Sequence, residues 1–138
     1  MTGIFIALIS GALMSLQGVF NTEVTKQSSI WVSASWVQFS ALVTCLVIWA
    51  ASDRSSFVAL MKVSPKYMML GGLFGAFITY TVIQSMSSLG PAKATMLIVI
   101  AQLTVSWLVE LMGMFGLDKG TFSWRKLMGL LVAVAGVV

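Results

Sequence analysis

The chain has no histidine, a single cysteine, two prolines and only 9% charged residues. Without histidine, neither an HExxH metal site nor a histidine-based triad is possible. The lone Cys45 lies in the middle of an apolar run with no base beside it and no partner for an internal disulfide, so it marks neither a nucleophile nor a redox compartment. No glycine-rich phosphate loop with a lysine occurs. These shortages argue against an enzyme and predict no cofactor and no metal site. The scarcity of charge is the strongest exclusion: soluble domains carry about 25% charged residues, whereas this chain is 59% hydrophobic with a mean hydropathy of +1.00. It reads as an integral membrane protein whose first partner is the lipid bilayer. The net charge of +4 comes from eight basic residues against four acidic ones. The basic residues fall between apolar runs, where they set topology, and predict no nucleic-acid partner. No basic leader precedes Gly3-Ile4-Phe5, so the first run is expected to be a retained helix rather than a signal peptide.

What is present is a series of five apolar runs, predicting an all-α transmembrane domain over residues 1–138. The helices are expected at about 3–24, 30–51, 65–88, 91–117 and 123–138. In the first, Gly11, Ser15, Gly18 and Thr22 form a small-residue stripe beside Gln17 and Asn21, which offer hydrogen-bonding groups on the adjacent face. Ser28 or Ser29 can cap the second. Its Trp31 and Trp49 lie ~27 Å apart at 1.5 Å per residue, matching the two aromatic anchors of one span. The polar residues between them, Ser33, Gln38, Ser40 and Thr44, scatter over more than one face and define no site. Asp53 to Lys66 is a polar connection with a short surface helix expected around Phe57, Leu60 and Met61. Ser64-Pro65 reads as an N-cap followed by proline at the first helical position of the third span. That span carries Gly71 and Gly75 as a GxxxG pair for helix packing, and Tyr80 and Gln84 on a stripe at steps of four. Gly90-Pro91 predicts a tight hairpin into the fourth span. Gly129, Ala133 and Gly136 form a packing stripe on the last, whose strictly apolar part, Leu127 to Val138, is short for a full crossing.

The fourth run organises the rest. Thr95, Gln102, Ser106 and Glu110 follow one another at steps of seven, four and four, which returns them to one side of a helix. A carboxylate inside a span costs on the order of 2.5–3.5 kcal/mol on insertion scales, so Glu110 needs a partner, water or a function. One reading makes it a coupling group that takes up and releases a proton, provided no permanent cation sits beside it. The other has it reach interfacial polar groups or Arg125. Gln102, closer to mid-depth, is the better neutral substrate contact.

Five spans place the termini on opposite sides. Arg54, Lys62, Lys66, Lys119, Arg125 and Lys126 then share the N-terminal side against Lys26 and Lys93 on the other, which predicts a cytoplasmic N-terminus and an outside C-terminus in the majority orientation. Five helices form only a thin wall around a pathway. Many transporters join two such units as inverted repeats with the substrate site at their interface.

Several pieces together carry a family resemblance: Gln17 with Asn21, Gly71-Gly72-Leu73-Phe74-Gly75, Leu89-Gly90-Pro91-Ala92, and Ala101-Gln102-Leu103 followed by Glu110. Trp124, Leu127, Gly129 and Gly136 complete it. The chain resembles the drug/metabolite transporter superfamily over nearly its whole length, most closely the small single-repeat YdcZ-like branch. It is also similar to half of a ten-helix EamA-type transporter. The resemblance implies a bacterial inner-membrane transporter working as an antiparallel dimer, with itself or a related chain. The more distant small multidrug resistance branch uses a glutamate in the middle of helix one. Here that region offers Met14, Gln17 and Gly18, which argues against proton-coupled multidrug antiport by that route. Family members often carry aspartate where this chain has Glu110, a chemically mild change.

The expected function is therefore export or antiport of a polar or cationic small metabolite by alternating access. Gln17, Asn21, Tyr80, Gln84, Gln102 and Ser106 would line the pathway, and Glu110 would couple an ion. The competing class is a non-transporting membrane scaffold subunit, which the glycine faces would equally serve.

Overall fold

The computed structural model describes residues 1–115 and 117–137. These form five α-helices with no strand among them: α1 (Thr2–Gln27), α2 (Ile30–Ile48), α3 (Gly71–Leu89), α4 (Pro91–Met112) and α5 (Trp124–Val137). Four segments are long and apolar enough to cross a membrane, namely Thr2–Gln27, Ile30–Asp53, Lys66–Leu89 and Pro91–Met112. With 14 residues, α5 reaches ~21 Å at 1.5 Å per residue, short of a ~30 Å hydrocarbon core. The chain thus has four membrane-length helices and a shorter fifth. It divides into two compact units, Met1–Ser88 and Leu89–Val138.

In the first unit α1 extends beyond the expected residue 24, because its polar end satisfies itself along the helix. Lys26 pairs with Glu23 at 2.5 Å, and the hydroxyls of Thr25 and Ser28 donate to carbonyls four residues back. Of the two candidate caps, Ser29 acts, its Oγ accepting from the Val32 N–H at 3.3 Å. The end of α2 widens into a π-helical turn, Trp49–Asp53, closed by Arg54 in the left-handed region. The expected surface helix is a 3-10 turn, Phe57–Lys62, capped by Ser56, with Phe57 packed on Trp49 at 4.7 Å.

The third helix corrects the reading of Ser64-Pro65. Pro65 is extended (φ −72°, ψ 150°) and precedes a 3-10 turn, Lys66–Leu70, rather than opening an α-helix. The α-helix itself starts at Gly71.

Three links hold this unit. The Ser33 Oγ, fully buried, donates to the Asn21 carbonyl at 2.9 Å and ties α2 to α1. Gln38 Nε2 donates to Thr79 Oγ1 at 3.2 Å, tying α2 to α3, and Trp31 stacks on Tyr80 at 4.9 Å. Gly18 makes the third link possible. A Cβ there would lie 2.5 Å from Met86 Cε, the flexible end of that side chain, and 3.3 Å from Val82 Cγ1, so a larger residue would have to push Met86 aside for α1 to seat against α3.

In the second unit Gly90 takes φ 81° and Pro91 opens α4 at its first position, where a missing N–H costs nothing. The helix stops at Met112, five residues before the expected 117, because Gly113 enters the left-handed region (φ 65°) and turns its N–H back onto the Glu110 carbonyl. The expected helix at 123–138 is observed from Trp124 to Val137, with Val138 and Gly116 outside the described residues.

Candidate functional site

Two cavities gather most of the polar residues that the sequence singled out. One lies on α1 and α2, the other on α4 and α5, and each belongs to a single unit.

The α1/α2 groove encloses about 700 Å³. Gln17 and Asn21, one turn apart on α1, face it together with Ser33, Ser40, Thr44 and Cys45 of α2, between the apolar surfaces of Phe20 and Trp36. The helix period brings Gln17 and Asn21 to one side, and the Ser33 bond to the Asn21 carbonyl fixes how the two helices meet. Asn21 is only 7% exposed. Its backbone carbonyl is engaged, yet its side-chain amide makes no hydrogen bond among the described residues. The hydroxyls of Ser40 and Thr44 spend their protons on carbonyls of their own helix, at 3.0 and 2.8 Å. They keep only lone pairs for the groove.

The α4/α5 cleft is smaller, about 430 Å³, and carries charge. Ser106 and Glu110, four residues apart on α4, face Lys126 and Gly129 of α5 across it, with Trp107 in the wall. Lys126 Nζ donates to Glu110 Oε2 at 3.0 Å, both side chains remaining half exposed at 51%. The partner is thus Lys126 rather than Arg125. The condition attached to Glu110 as a free proton-exchanging group, that no permanent cation sits beside it, is not met in this arrangement. The end of α4 is clamped around the same residue: the Glu110 carbonyl accepts from Gly113 N–H at 3.2 Å and from Gly120 N–H at 2.7 Å. A Cβ on Gly120 would come within 3.0 Å of Glu110 Cγ. The Trp107 ring packs with Phe122 at 5.7 Å, and Phe122 meets Trp124 edge-on at 5.2 Å. The Trp107 Nε1–H is buried and unpartnered among the described residues.

The remaining candidates, apart from Gly129 in the cleft wall, lie outside both cavities. Gln102 is exposed and its neighbour Leu103 takes the place in the cleft wall. Tyr80 is held by the Trp31 stack, and Gln84 is exposed. Gly71, Gly129 and Gly136 have nothing within 4 Å of a would-be Cβ, and Gly75 has only Gln38 Nε2 at 3.7 Å. The structure adds three residues that spacing did not pick out. Gln38 and Ser33 were lost in the scatter of polar positions along α2, and Lys126 was counted only as a topology charge.

Long apolar helices bearing polar cavities and almost no buried charge define a polytopic α-helical membrane protein. A family model described as "Putative inner membrane exporter, YdcZ" matches residues 2–138, and the chain belongs to that family. It is a multi-pass inner-membrane protein of a transporter family, not of an enzyme class. No curated protein and no solved structure matches the chain.

Proposed function

We propose that the chain exports a small polar solute as half of an inverted two-subunit assembly with alternating access, paired with a second copy or a related chain. The observation that carries this reading is how little of its membrane-length helices the chain buries. At most 6% of any spanning window is buried, so the helices offer faces that only lipid or another chain can meet. The faces at Gly71, Gly129 and Gly136 are open to the close approach of such a helix. In this reading α5 completes a fifth crossing with help from its flanking residues, which puts the N-terminus in the cytoplasm and the C-terminus outside. Gln17, Asn21, Ser106 and Gln102 line the route, with Tyr80 and Gln84 on the α3 face of the assembly. Glu110 couples an ion by exchanging partners: a cation entering the cleft takes the place of Lys126, and its departure restores the pair.

The same open glycine faces also favour a second reading, a scaffold subunit that transports nothing. Purified protein in liposomes separates the two. Saturable efflux of a solute is expected of the transporter, and absence of saturable flux across a broad metabolite panel, with or without a co-expressed related chain, would leave the scaffold.

A further inference from the structure

We infer that the α1/α2 groove is a site for an uncharged amphiphile bearing an amide or hydroxyl group. The inference rests on the transporter reading and narrows its substrate class. Nothing that lines the groove is an acid, a lysine or an arginine. A charged guest would leave water for an apolar wall with no counter-ion, a cost the neutral groups present cannot offset. The hydrogen-bonding inventory is specific. Asn21, 7% exposed as a residue, has a side-chain NH2 and carbonyl oxygen with no protein partner among the described residues, and Gln17 repeats the pair one turn away. Ser40 and Thr44 add acceptor oxygens only, their protons being bound within α2. A group that both donates and accepts satisfies this set: an amide does so in one plane with the Asn21 amide, and an alcohol does so with less geometry to match. Phe20 and Trp36 supply the apolar surface for the rest of the guest. A volume of about 700 Å³ is in the range of small-molecule sites.

Cys45, exposed and lining the same groove, reports occupancy. The full-length protein in liposomes is labelled at Cys45 with monobromobimane, an uncharged permeant thiol reagent. Labelling is timed in the presence of three uncharged amides (benzamide, acetanilide, N-butylacetamide) and of the charged isosteres benzylammonium and benzoate. At least one uncharged amide is expected to slow labelling saturably. The charged pair should leave the rate within twofold. Asn21→Leu should weaken the protection at least tenfold while the thermal melt stays near wild type, and Gln17→Leu, on the more exposed side, should weaken it less. Three results would each overturn the inference: no protection by any uncharged amide, equal protection by the charged isosteres, or protection indifferent to both substitutions. Spontaneous Cys45 disulfide formation between copies would also overturn it, because the groove would then be filled by a second chain. Because the readout is binding, it is separate from flux: protection without transport would sink the exporter reading and leave this site standing.

Discussion

The α1/α2 groove and the α4/α5 cleft are cut into equally apolar helices, yet one is lined by no carboxylate, lysine or arginine and the other is centred on a carboxylate paired with an ammonium. The difference lies in how each was made affordable in a membrane. In the groove, polarity is spread over neutral amides and hydroxyls, most of them already bonded to backbone. In the cleft, Glu110 is matched by Lys126 three residues into α5, and the carbonyl end of α4 is covered by two glycine N–H groups. A neutral surface suits selection of a solute by shape and hydrogen bonding. A charge pair suits a response to ions.

The largest effect should come from removing the charge. Glu110→Gln is expected to lower flux at least ~tenfold, equivalent to about 1.4 kcal/mol, with the folded assembly intact by size-exclusion chromatography. The exposed Glu23, paired along its own helix with Lys26, is a control whose conversion to Gln should leave flux unchanged. Normal transport by Glu110→Gln would erase the division of labour between the two cavities. Next, Lys126→Glu should impair flux and Glu110→Lys should partly rescue it in the double variant. A double variant no better than either single would mean that the pair does not act as a unit.

Smaller effects probe the groove's framework. Gly18→Leu drives a side chain into Met86 and Val82 and should destabilise the first unit by ~1–3 kcal/mol. Unchanged thermal unfolding would mean that α1 does not seat on α3 this closely. Gln38→Leu removes one interhelical hydrogen bond to Thr79, worth ~0.6 kcal/mol in membrane proteins. A loss of several kcal/mol would show Gln38 to be part of a larger network than its one bond.

Much of this was legible in the sequence, and the failures are instructive. Hydropathy marks the four membrane-length helices, and the step of four puts Gln17 beside Asn21 and Ser106 beside Glu110, since periodicity follows from helix geometry alone. The end of α4 was missed because apolar residues continue past Gly113, and hydropathy carries no information on whether a glycine will adopt positive φ. Lys126 was missed because pairing across two helices depends on how the intervening loop folds, which spacing does not encode. Depth along the helix favours Gln102. Its exposure shows that depth and orientation are separate coordinates, and a one-residue shift around the helix hands the cleft wall to Leu103.

The loop bond from Gly120 to the Glu110 carbonyl has a mechanical meaning. Because that carbonyl belongs to the residue that carries the charge, rotating the backbone at the end of α4 would require breaking the bond to the loop. Each of the two N–H bonds resists with about 1 kcal/mol net. The loop would thus act as a catch on the backbone of the helix end. Slow amide exchange at Gly120 that quickens when an ion displaces Lys126 would be the sign of that catch opening.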